Sequence, residues 1–361
     1  MNREAPVTPS QAARKKSAYA PARDFIPEPG RPQEVLPGLQ WLRGPLPFEL
    51  DHINLWLLEG KSGWTIVDTG FNFDVMKEAW DIVFATQFRD KPVEGLFITH
   101  FHPDHFGLGG WLAERAGVTL QMTPPEFGMA KSLTDPAQQG MLGDLYRPYY
   151  IEAGIEGQLL DDMLARRFTY QKIVSKMPGT FTPVKPGDTV RLGDRDWKII
   201  GGYGHCPEHA CLYCEKDKIF IAGDMILPDI SPNISFFPDI YLSRNPVAAY
   251  IKTLEKIRAQ VPDDVLVLPS HGVPFKGLHQ RAGELIHHHE RRLTKLREVL
   301  AAGSQTAHQA MLGLFAHRSL ARPADLFFAL GETLAHLVYD VEAGRVVKAT
   351  TDGKALYSLV G

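Results

Sequence analysis

Apolar positions in this chain fall into short runs, and most runs end on a residue that can do chemistry. Thr65-Ile66-Val67 is followed by Asp68 and Gly70. Residues 93–98 lead into Thr99 and His100, residues 219–222 into Gly223 and Asp224, and residues 265–268 into Ser270 and His271. Continuous apolar runs of this length, bounded by polar residues, read as buried strands. Residues 36–58 are apolar and aromatic and extend the pattern towards the N-terminus, with His52 at the start of a strand in a structural role. Residues 210–214 also read as a strand. Its Cys211 and Cys214 then face opposite sides, which argues against a redox or metal role for the pair. Helical stretches are predicted over 73–87 and 108–116.

Residues 126–180 differ in character. Met129, Met141, Leu142, Leu145, Tyr146, Tyr149 and Tyr150 form an apolar, aromatic face, and Leu159, Leu160, Met163 and Leu164 repeat at helical spacing. A helical insertion is expected, with a cap over the active site preferred to plain packing or a dimer surface. Beyond residue 277 a long charged helix is predicted over 278–302. It carries His287-His288-His289, whose consecutive positions point in different directions and so read as surface or interface residues. Two more helices follow at 306–315 and 323–340. A hairpin over 346–350 and 355–359 closes the chain, turned at Asp352-Gly353. The expected organisation is a flexible arm over 1–30, a catalytic domain over 31–276 containing the insertion, and a small C-terminal domain over 277–361.

Composition narrows the class. The chain has 361 residues, is 44% hydrophobic and carries a formal charge of -3, ordinary for a globular protein and weak for binding a polyanion. Nucleic acid is therefore disfavoured as a partner. No apolar run approaches the ~20 residues of a membrane span. The polar N-terminal stretch does not look like a secretory signal, and three cysteines make a disulfide framework unexpected. A cytoplasmic location is the resulting expectation.

The densest chemistry lies in Thr99-His100-Phe101-His102-Pro103-Asp104-His105. Imidazole and carboxylate together suit a borderline metal such as zinc. This His-x-His-x-Asp-His run resembles the signature of the metallo-β-lactamase fold superfamily of hydrolases. So do the Asp68-Thr69-Gly70 element, Gly204-His205-Cys206-Pro207-Glu208-His209, the strand ending at Asp224 and the strand ending at His271, in that order. The likeness spans roughly residues 38–275. It implies an α/β fold, a four-layer αβ/βα sandwich carrying the helical insertion. The helices and hairpin of the tail resemble the winged-helix-like domain of one branch of that superfamily, which includes glyoxalase II-like, thioesterase-like and ribonuclease-like members.

The resemblance also implies roles. One metal would take His100, His102 and His205, a second would take Asp104, His105 and His271, and Asp224 would bridge them. The expected cofactors are two divalent ions, zinc by default, with iron or manganese suited to the same ligands. A divalent ion lowers the pKa of a bound water to about 7, so hydroxide is available at neutral pH. Asp104 would hold that hydroxide and shuttle its proton. Asp68 and His209 would orient ligands or their loops. Cys206 stands where the superfamily often has threonine, and is read as lining the site, with thiolate coordination the alternative. The irregular segment after Asp224 supplies candidate substrate contacts in Asn233, Phe236 and Tyr241.

The activity so implied is hydrolysis of a small carboxyl ester, thioester or lactone. Nucleic-acid phosphodiester cleavage is the second reading, with β-lactam hydrolysis and mononuclear iron oxygenation behind it. A small acyl compound is the expected partner, and a homo-oligomer is allowed.

Overall fold

The computed structural model describes residues 26–48, 50–165, 170–238, 244–317, 319–320 and 322–361, with residues 138–143 placed as backbone only. The first part of the chain gives β1 (Gln33–Leu36), β2 (Leu39–Pro45), β3 (His52–Glu59), β4 (Trp64–Val67), α1 (Asp74–Thr86) and β5 (Val93–Phe97). Next come α2 (Pro103–Phe106), α3 (Gly109–Ala116) and β6 (Leu120–Met122). The insertion follows as α4 (Pro124–Thr134), α5 (Pro136–Glu152), α6 (Gly157–Ala165) and α7 (Tyr170–Ile173), and β7 (Thr182–Pro183) ends it. These seven strands form one sheet in sequence order, antiparallel from β1 to β4 and parallel from β4 to β7.

A second sheet uses β8 (Thr189–Leu192), β9 (Arg195–Gly202), β10 (His209–Cys214) and β11 (Ile219–Gly223). After α8 (Pro246–Gln260), β12 (Leu266–Pro269) completes it in the order β12-β11-β10-β9-β8. Here β11 and β12 run parallel. The chain ends with α9 (Leu278–Leu300), β13 (Gln305–Thr306), α10 (Ala307–Leu314), α11 (Pro323–Glu342), β14 (Val346–Thr351) and β15 (Lys354–Leu359). The last strands form a three-stranded sheet in the order β13-β15-β14.

Alternation along the strands produces the layers. In β3, Trp56 and Leu58 face the second sheet and meet Trp197, Ile199, Leu212 and Ile221. The alternate residues Ile53, Leu55 and Leu57 face outward and meet Met76, Trp80 and Val83 of α1. A strand buried on both faces must be apolar at every position, which is why this segment lacks a polar period. Across the other sheet, Tyr250, Leu254 and Ile257 of α8 and Leu278 and Leu285 of α9 cover Ile200, Phe220 and Val267. The result is helix, sheet, sheet, helix. Cys211 faces the α8 side and Cys214 the inter-sheet core, on opposite faces as the strand reading requires.

The insertion is divided between two cores. Phe127, Met129, Leu133, Tyr170 and Ile173 pack on the outer face of the first sheet. Tyr146, Tyr149, Tyr150, Leu160 and Met163 are buried instead in one core with Leu330, Leu334 and Tyr357 of the C-terminal unit. The expectation that this aromatic face caps the active site is therefore corrected. Each tyrosine brings about 150–250 Å² of largely apolar surface, and the C-terminal helices withdraw it from water. The histidine triplet likewise divides: His287 is exposed, while His289 is buried with its Nδ1 3.0 Å from His336 Nε2.

Local signals set the element ends. Thr306 and Gln309 make a reciprocal capping box at the start of α10. Asp352 and Gly353 both take positive φ, 49° and 76°, as a two-residue hairpin turn requires. No helix among the described residues is long and apolar enough to cross a membrane.

Candidate metal centre

The site forms where strands of both sheets end. Asp68 follows β4, His100 and His102 follow β5, and Asp104 and His105 sit in the single-turn α2. His205 lies in the turn between β9 and β10, Asp224 directly follows β11, and His271 follows β12. Carboxyl ends of parallel strands are where α/β sheets open a crevice. Here the pairs β4–β5 and β11–β12 open theirs to the same side.

The seven candidate ligands separate into two groups. His100, His102, His205 and Asp224 converge with one donor atom each, all within 4.8 Å of one another, and so do Asp104, His105 and His271. Asp224 stands between the groups. Its Oδ2 lies 3.4 Å from His205 Nε2 and 4.0 Å from His100 Nε2. Its Oδ1 lies 3.4 Å from His105 Nε2 and 3.5 Å from His271 Nε2. Asp104 Oδ2 is 3.3 Å from His271 Nε2. Donors about 2.1 Å from a tetrahedral ion sit roughly 3.4 Å from one another, so these spacings suit ions held between them.

The polar atoms left over point the same way. Among the described residues, neither His105 Nε2 nor Asp224 Oδ1 has a hydrogen-bond partner, although both are buried. Buried polar atoms are rarely left so, and each calls for an unseen partner. His205 Nε2 and His100 Nε2 face each other at 3.3 Å, and His102 Nδ1 lies 2.9 Å from His100 Nε2. Burial, reinforced by His205, pushes His102 down to about 3, so it presents a neutral imidazole lone pair. Burial alone would lower His105 and raise Asp224. The opposite charges win in both: Asp224, Asp68 and Asp104 hold His105 well above the usual histidine value, and His105 and His271 hold Asp224 well below the usual carboxylate value. A cation seated between them supplies the same compensation as that proton. The donor set and the orphaned atoms therefore fit divalent metal ions.

The residues behind the ligands set which nitrogen faces inward. Asp68 Oδ2 accepts from His105 Nδ1 at 2.8 Å and from the Thr99 hydroxyl at 2.8 Å, and its Oδ1 accepts from Thr99 N–H. Asp68 does this at φ 63°, a left-handed conformation that aspartate tolerates only at a cost. His209 Nε2 accepts the backbone N–H of Asp224 at 3.2 Å. The glycine before Asp224 is required: Gly223 has φ +52°, and a Cβ there would lie 2.3 Å from the His209 ring. His271 Nδ1 donates to His52 O at 2.8 Å, and Gly272 N–H donates to His52 Nε2 at 2.7 Å. His52 thus anchors the loop carrying His271, the structural role expected of it.

Three supporting residues carry no motif. Glu126, fully buried at the start of α4, accepts from Phe101 N–H at 2.9 Å and from Glu208 N–H at 2.6 Å. It joins the His100–His102 loop to the turn carrying His205. Burial raises its pKa to about 7 against the pull of these donors. In the sequence Glu126 reads as an acidic first-turn residue suited to the helix dipole, which hides this role. Tyr170 donates its hydroxyl to Phe101 O at 2.6 Å. Asn54 donates to Pro269 O and Gly272 O while accepting from Trp41 Nε1, fastening the first sheet to the end of β12.

The substrate candidates fare unevenly. Asn233 turns its carbonyl to His205 Nδ1 at 2.9 Å and is a structural neighbour of that candidate ligand. Phe236 lines a narrow cleft beside His205 with Cys206, Pro207, Ser235 and Phe237. Tyr241 lies outside the described residues. Burial, then Glu126, raises the Cys206 thiol well above its usual value. It packs within the core of the first sheet, so thiolate coordination is disfavoured.

Comparison with known proteins gives the family and the fold. Residues 49–271 match the family described as the metallo-beta-lactamase superfamily, and residues 293–359 match the metallo-beta-lactamase-like C-terminal domain. A beta-lactamase domain protein from Burkholderia ambifaria has a similar crystal structure, at 37% identity and a TM-score of 0.84, covering 95% of this chain and 98% of that one. A metallo-beta-lactamase family protein from Thermus thermophilus is 28% identical with a TM-score of 0.76, covering 91% of this chain and 100% of that one. Among curated proteins, the "Probable metallo-hydrolase YqjP" of Bacillus subtilis (strain 168) is 24% identical over 324 residues, 88% of this chain and 96% of that protein.

Proposed function

The chain belongs to the metallo-beta-lactamase superfamily, and from that premise we propose that it is a binuclear metal-dependent hydrolase of a small carboxyl ester, thioester or lactone. One observation carries the reading: the two oxygens of Asp224 face two separate ligand groups. Zinc suits a set of histidines and carboxylates, and His100, His102 and His205 would hold one ion, Asp104, His105 and His271 the other, with Asp224 between. Ions so placed activate water and polarise an acyl oxygen.

The remaining work falls to the protein. Asp104 is the carboxylate that orients the attacking water and carries its proton, since it stands beside His271 at the edge of the group. The cleft beside His205 that Phe236 lines admits only about 10 Å³, so the acyl part of a substrate would lie outside it. A net charge of -3 disfavours nucleic-acid cleavage. The test is metal content by elemental analysis together with a hydrolysis panel of acyl thioesters, lactones, aryl esters, an alkyl sulfate, a β-lactam and an RNA oligomer. Two ions per chain with turnover of a thioester, lactone or ester supports the reading. One iron per chain without hydrolysis, or turnover of RNA alone, refutes it.

A further inference from the structure

The segment between Asp224 and α8 has no helix or strand from residue 225 to residue 238, so nothing in its own backbone determines its path. Side chains and helices around it do. Tyr250 of α8 donates its hydroxyl to Met225 O at 2.8 Å. Arg281 of α9 donates to Leu227 O at 2.6 Å and to Ile230 O at 2.8 Å. At the far end both backbone groups of Phe236 are taken. Its N–H donates to Gly331 O on α11 at 2.9 Å, and its carbonyl accepts from the Tyr149 hydroxyl on α5 at 2.8 Å. Phe237 stacks on Phe327 of α11 with ring centroids 4.4 Å apart.

Gly331 makes this approach possible. A glycine inside a helix is less favourable than alanine, so its presence within α11 calls for a reason. A Cβ there would stand 2.7 Å from the Phe237 ring and 2.8 Å from Ser235 Cβ. Its absence lets the loop lie directly on the helix. Three residues before Phe236 the same loop presents Asn233 O to His205 Nδ1 at 2.9 Å, and Ser235 Oγ donates to Asn233 Oδ1 at 2.5 Å. A carbonyl can only accept, so His205 Nδ1 is the donor to Asn233 O, and this bond turns Nε2 towards Asp224 and His100.

We propose that α11 of the C-terminal unit and α5 of the insertion form a clamp that positions His205: Gly331 and Tyr149 hold Phe236, and Phe236 holds the Asn233 carbonyl against the imidazole. The C-terminal unit is then part of the metal centre although it contributes no ligand. Tyr149 and Gly331 are positioning residues. The inference rests on the reading of His205 as a metal ligand.

The test compares Tyr149→Phe, Gly331→Ala, Met311→Ala and His205→Ala with the unaltered chain. Met311 is buried in the same C-terminal core on α10 and serves as the stability control. Each protein is stripped of metal and titrated with Zn²⁺ against a chromophoric chelator. Each is also titrated with Co²⁺ to read the ligand-field spectrum, and its melting temperature is recorded. Outer partners of metal-bound histidine typically contribute 10- to 100-fold in affinity. The partner of His205 is the Asn233 carbonyl, and Tyr149 and Gly331 act on it through Phe236. Tyr149→Phe and Gly331→Ala are therefore expected to weaken one of two Zn²⁺ equivalents by up to about tenfold and to alter the Co²⁺ spectrum, as His205→Ala does more strongly. Met311→Ala is expected to lower the melting temperature while leaving affinity and spectrum unchanged. The clamp is overturned if Tyr149→Phe and Gly331→Ala bind as the unaltered chain does while His205→Ala does not. It is overturned equally if Met311→Ala loses affinity in step with them. If His205→Ala itself binds Zn²⁺ normally, the ligand reading fails and the clamp with it.

Discussion

The Nδ1–H of His105 donates to Asp68 Oδ2 across 2.8 Å, and this bond turns the other nitrogen of the ring towards Asp224. Asp68 also holds the Thr99 N–H and hydroxyl, so one carboxylate fixes both the imidazole and the strand end that leads into the histidine run. Replacing Asp68 with alanine should weaken the ion at His105 by about 10- to 100-fold. Competition with a chelator measures it, and affinity equal to that of the unaltered protein would contradict the assignment.

Asp224 faces both candidate ligand groups, so under the proposed two-ion reading its loss should affect both sites. For Asp224→Ala, kcat/KM on whichever substrate is turned over should fall by roughly a thousandfold or more, since metal-based stabilisation supplies several kcal/mol. His102→Ala should do the same through one ion. Far-ultraviolet circular dichroism of both variants should match that of the unaltered chain. Full activity in either would defeat the metal-site reading.

Glu126 joins two ligand loops through Phe101 N–H and Glu208 N–H. In Glu126→Gln the amide keeps one acceptor oxygen, and its NH₂ group is set against a second donor. A buried donor left unsatisfied costs about 1–3 kcal/mol. Urea unfolding of the metal-free protein should show a loss of that size. A loss below about 0.5 kcal/mol would mean that Glu126 does not bind the loops together.

The C-terminal unit should respond to acid. Burial pushes His336 down to about 3, against the bond that its Nδ1–H makes to Glu332 O. Its folded pKa thus lies below the unfolded value near 6.5, so the neutral ring contributes its full stability above pH 6.5 and loses it progressively as pH falls towards 3. At pH 5 the unfolded chain binds a proton that the folded chain excludes, a loss of roughly 2 kcal/mol from this one residue. Denaturant unfolding at pH 7 and pH 5 should show the decline, and a His336→Leu variant should show a shallower one. An equal slope in both would rule out His336 as a source of the acid sensitivity.

Much of the site was legible because its chemistry is local. His100, His102, Asp104 and His105 lie within six positions, and each remaining ligand but His205 comes at the end of an apolar run that reads as a strand. Backbone geometry alone then puts a ligand at a sheet edge. The opposite faces of Cys211 and Cys214 and the hairpin turn at Asp352-Gly353 follow from the same short-range rules.

Other relationships have no short-range signature. Glu126 meets donors 25 and 82 positions away, Asn54 meets acceptors 215 and 218 positions away, and Tyr149 meets Phe236 across 87 positions. The tyrosine face of α5 shows helical periodicity whichever surface receives it, so its spacing could not choose between the active site and the C-terminal core. The sequence by itself determined which residues could bind metal and which runs would become strands, because period and spacing are properties of neighbouring residues. Only the tertiary structure decided which buried polar groups hold the ligands and where the C-terminal unit touches the site. Those pairings depend on how whole layers pack, and a buried donor takes whichever acceptor that packing brings within reach.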